Sequence, residues 1–180
     1  MPRLFWIKAH LIAASFFAPA LLITAISGGL YLIDIKGTVE VTAVDVPADV
    51  RLDPKSASLE QDVRSLFNRL GIDDEFEYLR GSGDTLYTRP TSRTYYVLTI
   101  SDSAVTMQRE VPDLQKVMIE LHKGHGPTLY KDFQKAMAVA LVFVLLSGAW
   151  LGVSSKGLRI KAATTIGAGL LVYLGLVFLA

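Results

Sequence analysis

Three stretches of this chain carry no charged side chain: residues 11–33, 136–155 and 162–180, which are 23, 20 and 19 residues long. A bilayer core about 30 Å thick is crossed by about 20 apolar residues at 1.5 Å rise each. A soluble fold of 180 residues has too little amphipathic surface to bury three such helices. The sequence is therefore that of an α-helical membrane protein with three transmembrane helices. The long segment between the first two has mixed composition and forms an inserted small α+β domain.

Other classes are excluded by composition. The formal net charge is +1, so no strong basic field points to nucleic acid. There is no cysteine, which removes disulfides, thiolate metal sites and covalent c-type haem attachment. The first apolar stretch follows Arg3 and Lys8 and contains Ala18-Pro19-Ala20, a signal-peptidase-like site. Apolar sequence continues beyond that site, so an uncleaved anchor is expected.

Orientation follows from the short flanks. Arg3 and Lys8 precede the first span, and Lys156, Arg159 and Lys161 fill the loop between the second and third. The excess of Lys and Arg puts both on the cytoplasmic side. Residues 36–134 and the C-terminus then lie outside. The expected division is 1–35 for the N-terminal region and first span, 36–123 for the domain and 124–134 for a connector. The second span is 135–155, the cytoplasmic loop 156–161 and the third span 162–180.

Within the outer segment, residues 38–46 alternate as a strand, ending at Pro47. Ser58-Leu59-Glu60-Gln61 has the form of a capping box. The helix it opens puts Leu59, Val63, Leu66, Phe67 and Leu70 on one face and stops at Gly71. Four strands follow at 75–79, 85–88, 94–100 and 104–109, with turns at 81–84, 90–93 and 101–103, giving an antiparallel meander on the helix. Pro112-Asp113 opens another helix, which ends at Gly124. Asp73, Asp74, Glu75 and Glu77 read as a solvated strand edge. Asp34 reads as a surface acid, with a pairing to Lys131 or Lys135 as the alternative.

The first two long spans share an echo. Ser27-Gly28-Gly29 and Ser147-Gly148-Ala149 lie 120 residues apart, followed at the same offset by Lys36-Gly37 and Lys156-Gly157. Small residues let helix backbones approach and serine bonds across, so Ser27, Gly28, Gly29, Ser147 and Gly148 are candidate helix-packing positions. Gly152, Gly167 and Gly169 extend the set.

The layout of span, small α+β domain, Leu121-His122-Lys123-Gly124-His125-Gly126 and a second span resembles the PepSY-associated transmembrane family. His10 leading the first span and the two Ser-Gly ends add to the resemblance, and the 58–109 segment is similar to a PepSY domain. This implies a bacterial inner-membrane protein with a periplasmic domain that binds or restrains other proteins. Larger relatives include membrane reductases that hold b-type haem through histidines. This chain has fewer spans, so their catalysis does not carry over.

Three functional expectations result. The first is a non-catalytic accessory or structural subunit without a cofactor, docking on other membrane subunits or on copies of itself in a redox- or iron-linked complex. The second is a haem b electron-transfer protein with His122, His10 or His125 as ligands at a protomer interface. The third is a periplasmic protease inhibitor or regulator. Against haem, Gly124 and Pro127 make residues 124–127 a turn with nothing to orient a ligand ring, and His122 reads first as a cap of the preceding helix or a partner of backbone carbonyls. His10 and His122 also fall on opposite sides of the bilayer. No ionisable residue lies within a span, which argues against a transporter.

Overall fold

The computed structural model describes residues 3–101 and 104–179. Two compact units are present. One is Leu22–Gln134. The other joins the chain up to Leu21 with the chain from Lys135 onward.

Leu22–Gln134 holds a five-stranded antiparallel sheet in the order β1-β5-β4-β3-β2: β1 Val39–Val44, β2 Tyr78–Ser82, β3 Thr85–Arg89, β4 Tyr95–Ile100 and β5 Val105–Pro112. The meander β2 to β5 has the expected order, with its first strand at Tyr78–Ser82 rather than at 75–79. The sequence does not place β1; the structure pairs it with β5, in a register that sets Val44 opposite Met107. Leu86, Leu98, Met107 and Val44 then form one apolar row across four strands. On this row lies helix α2, Leu59–Leu70, burying Val63, Leu66 and Phe67. Phe67 meets Phe76 and Tyr96 edge-on at 5.5 and 4.8 Å.

Local chemistry departs from the pattern in three places. The capping box does not form: the Ser58 hydroxyl donates to Asp62, a charged acceptor one residue past Gln61, and makes no cap bond. The first hairpin turn is Gly83-Asp84 alone, because Ser82 pairs with Thr85 and Gly83 takes φ +61°. The turn expected at 101–103 lies partly outside the described residues.

Helix α3 spans Leu114–His122. Its N-cap, Asp113, accepts from the Lys116 N–H at 2.7 Å and from the Thr38 N–H and hydroxyl at 2.7 and 2.8 Å. These bonds hold the Asp113 carboxyl below the usual range, the Lys116 N–H being the largest cause. Gly37 passes so close to this cap that a Cβ there would lie 2.4 Å from the Lys116 nitrogen.

Three helices are long and apolar enough to cross a membrane: α1 Arg3–Leu32, α4 Thr128–Val153 and α5 Arg159–Leu179. α1 and α4 contribute to both units. α4 starts at Thr128, so the connector expected over 124–134 is mostly helix. Its first N–H and hydroxyl, from Thr128, donate to Glu77 at 2.8 and 2.6 Å. The Thr128 hydroxyl and backbone bonds hold the Glu77 carboxyl low. Glu77 is therefore a helix cap rather than a solvated edge. Asp74 likewise accepts from the Tyr96 hydroxyl at 2.7 Å.

In the other unit α1 and α4 run antiparallel, with Trp6 beside Trp150 and Phe143 at ring distances of 5.7 and 6.4 Å. α5 begins three residues before the charge-free stretch and buries none of its described residues.

Candidate functional site

The site within Leu22–Gln134 is built on Ser27, whose side chain is 1% exposed. A hydroxyl this buried must bond within the protein. It donates to the Thr24 carbonyl at 2.9 Å and sits 3.0 Å from His122 Nδ1. A carbonyl only accepts, and serine has one hydroxyl proton to give either to Thr24 or to the ring. With the proton on Thr24, the imidazole donates from Nδ1–H and Nε2 carries the lone pair. Gly28 makes room for the ring: a Cβ there would stand 2.9 Å from His122 Cε1. Ser27, Gly28, Tyr31, Ile119, His122 and Lys123 line a cavity of about 270 Å³.

The second unit repeats the arrangement. His10 Nδ1 lies 2.8 Å from Ser147 Oγ, which donates to the Val144 carbonyl at 3.2 Å. With the serine proton on Val144, His10 likewise donates from Nδ1–H and carries its lone pair on Nε2. A Cβ on Gly148 would approach His10 Cε1 at 3.2 Å. An apolar cavity of about 430 Å³ beside the pair is lined by Trp6, Phe143, Leu146, Ser147 and Trp150. The Ser-Gly echo thus marks two His–Ser–Gly sites. In each, one helix supplies serine and glycine and a histidine from elsewhere in the chain lies on them. The sequence reading found nothing to orient the His122 ring; the structure places Ser27 there, and Ser147 at His10.

No family model, curated protein or solved structure significantly matches this chain.

His125 is placed differently. Its Nδ1 lies 2.6 Å from Glu120 Oε2, so it belongs to a buried ionic cluster rather than to either site. Glu120, 5% exposed, also accepts from the Thr91 hydroxyl at 2.7 Å. Lys116 and Lys123 approach the other oxygen at 3.3 and 3.4 Å, and Arg89 stands 4.0 Å away. Burial alone would push this carboxyl up. The bonds from Thr91 and His125 and the charges of Lys123 and Lys116 outweigh it and hold the carboxyl at about 2.

The remaining candidates are spread out. Around Gly29, Gly167 and Gly169 no atom lies within 4 Å of a Cβ position, among the described residues. A Cβ on Gly152 would meet Ala162 at 3.0 Å where α4 turns into α5. Asp34 pairs with Lys36 at 2.6 Å, and Lys131 lies on Tyr78. No cluster of three or more metal-binding side chains occurs among the described residues. Glu120 is the residue the sequence reading missed. Its signal was a lone acid with Lys at i−4 and i+3 and His at i+5, on a helix otherwise read for its apolar face.

Proposed function

We propose that this chain is a membrane-anchored electron-transfer subunit. It would work within a larger assembly of the bacterial inner membrane, with b-type haem held at an interface through Nε2 of His122 and of His10. One observation carries the reading: in both sites the ring Nδ1 lies within bonding reach of a buried serine. With the serine proton on its own helix carbonyl, each Nδ1–H donates to that serine and Nε2 would be the ligating nitrogen, the arrangement haem-ligating histidines use. Each site has one histidine, which would hold the haem from this chain. The second ligand would come from a partner subunit or a second copy, since His125 is spent on Glu120.

In this reading residues 36–134 are periplasmic and the resemblance to PepSY-associated membrane proteins supplies the setting. Ser27 and Ser147 hold the rings, and Gly28 and Gly148 let them lie against the helix. Bound haem supplies one-electron transfer. The chain itself carries out no bond chemistry.

The test is an absorption spectrum of protein purified in mild detergent from haem-replete cells. A Soret band that falls by about half in His122→Ala and in His10→Ala is expected, one ligand set lost each time. A colourless protein overturns the assignment.

A second reading, a cofactor-free accessory subunit, is favoured by α5, which buries nothing and has open space at Gly167 and Gly169. Close helix approach at such residues drives association in lipid. Gly167→Leu is then expected to release co-purifying subunits without affecting membrane insertion. An unchanged complex would remove α5 from the interface.

A further inference from the structure

α3 is a short bridge with two working sides. At 100° per residue Glu120 and His122 point about 200° apart, on nearly opposite faces of the same turn. The His122 face lies on Ser27 of α1. The Glu120 face is locked into the sheet domain: Thr91 follows the end of β3 and donates to Oε2, and Arg89 in β3 donates in turn to the Thr91 hydroxyl at 2.7 Å. The turn after α3 closes on the same point. His125 reaches Glu120 through its ring, its N–H donates to the Glu120 carbonyl at 2.9 Å, and its carbonyl accepts from the Thr91 N–H at 3.1 Å.

We infer that Glu120 is a positioning residue for His122, setting the rotation of the last turn of α3 that brings the imidazole Nδ1 onto Ser27. The inference rests on the proposed role of His122, but its readout is the ring itself and needs no haem. Ring nitrogens stand about 5–6 Å from a helix axis, so a rotation of about 10° moves them by about 1 Å. The His122–Ser27 distance is already 3.0 Å, and a bond stretched by that much is lost. The other links at this end of α3 run mainly to backbone: the Ile119, Glu120 and Leu121 carbonyls accept from Lys123, His125 and Gln134. They keep the turn helical. The side chain of Glu120 ties it to the sheet through Thr91, with Arg89 behind.

The experiment is histidine ¹⁵N NMR on the full chain in detergent, which reports the proton on each ring. In the wild type, His122 and His10, each bonded to a serine through Nδ1, are both expected as a single tautomer. In Glu120→Gln, about half of the His122 population is expected to shift to the other tautomer, because an unbound ring takes either. His10, held by Ser147, serves as the internal reference. Thr91→Val, a milder loosening of the same anchor, is expected to shift His122 in the same direction and covers the case in which Glu120→Gln does not fold. Val63→Ala weakens the sheet core under α2 and should leave His122 unchanged, which separates positioning from general loss of stability. An unchanged His122 tautomer in folded Glu120→Gln or Thr91→Val overturns the inference, as does an equal shift in Val63→Ala. If the ring shifts as expected but the protein is colourless, positioning stands and the haem assignment fails.

Discussion

Glu120→Ala is expected to lower the stability of the sheet domain by about 3–5 kcal/mol, because it breaks a buried ionic network from one side. Arg89 and Lys116, 12% and 25% exposed, lose the carboxylate that balances them, and Lys123 and His125 lose their acceptor. A domain of this size holds roughly 5–10 kcal/mol in total, so the variant is left close to its unfolding threshold. Urea titration of the full chain in detergent, followed by the tyrosine signal of the sheet, should show a midpoint lowered by about half. A midpoint within a tenth of wild type would mean that the cations are solvated and the network is incidental.

The same carboxylate sets an acid limit. Its folded value, about 2, lies below its ordinary value of 4.5. Its contribution is therefore complete above about 4.5 and is lost as pH falls from there through about 2. The shift is equivalent to about 3 kcal/mol. Wild-type stability should decline over that window. Glu120→Gln should show a flatter profile, since it has no proton to take up.

Gly37→Ala is expected to have a comparable effect by a different route. Gly37 has φ +69°, a region alanine enters at a cost of about 1–2 kcal/mol. In addition, the new Cβ would lie 2.4 Å from the Lys116 nitrogen and 2.5 Å from Asp113 Oδ1. Neither atom moves freely, because one is backbone and the other is the N-cap of α3. Relief of the clash displaces the cap and the two bonds that Thr38 gives Asp113, adding about 1–2 kcal/mol. Gly71 is the control. It has φ +66° but nothing within 4 Å, so Gly71→Ala should cost the backbone term alone. Equal losses for the two variants, measured by urea midpoint, would show that the close approach at Gly37 relaxes without cost.

Legibility in the sequence followed the range of the forces involved. The three long apolar helices, the α2 face and the β2–β5 meander are written locally, in runs, in 3.6-residue and two-residue periods and in turn residues. They could be read directly. The place of β1 beside β5 could not, since strand order is decided by which apolar residues complete a row across the sheet. Nor could the caps. Glu77 sits in an acidic run that resembles a solvated edge, yet it meets Thr128 from 51 residues away.

The candidate site divides the same way. Sequence alone determined the residue types: three histidines, two Ser-Gly pairs repeated 120 residues apart and no cysteine. It could not say which histidine meets which serine, because those pairs are 95 and 137 residues apart. The tertiary structure decided this, by bringing each serine within reach of its own helix carbonyl and of one imidazole. Each serine meets its ring at Nδ1, which leaves Nε2 as the ring nitrogen not bonded to serine.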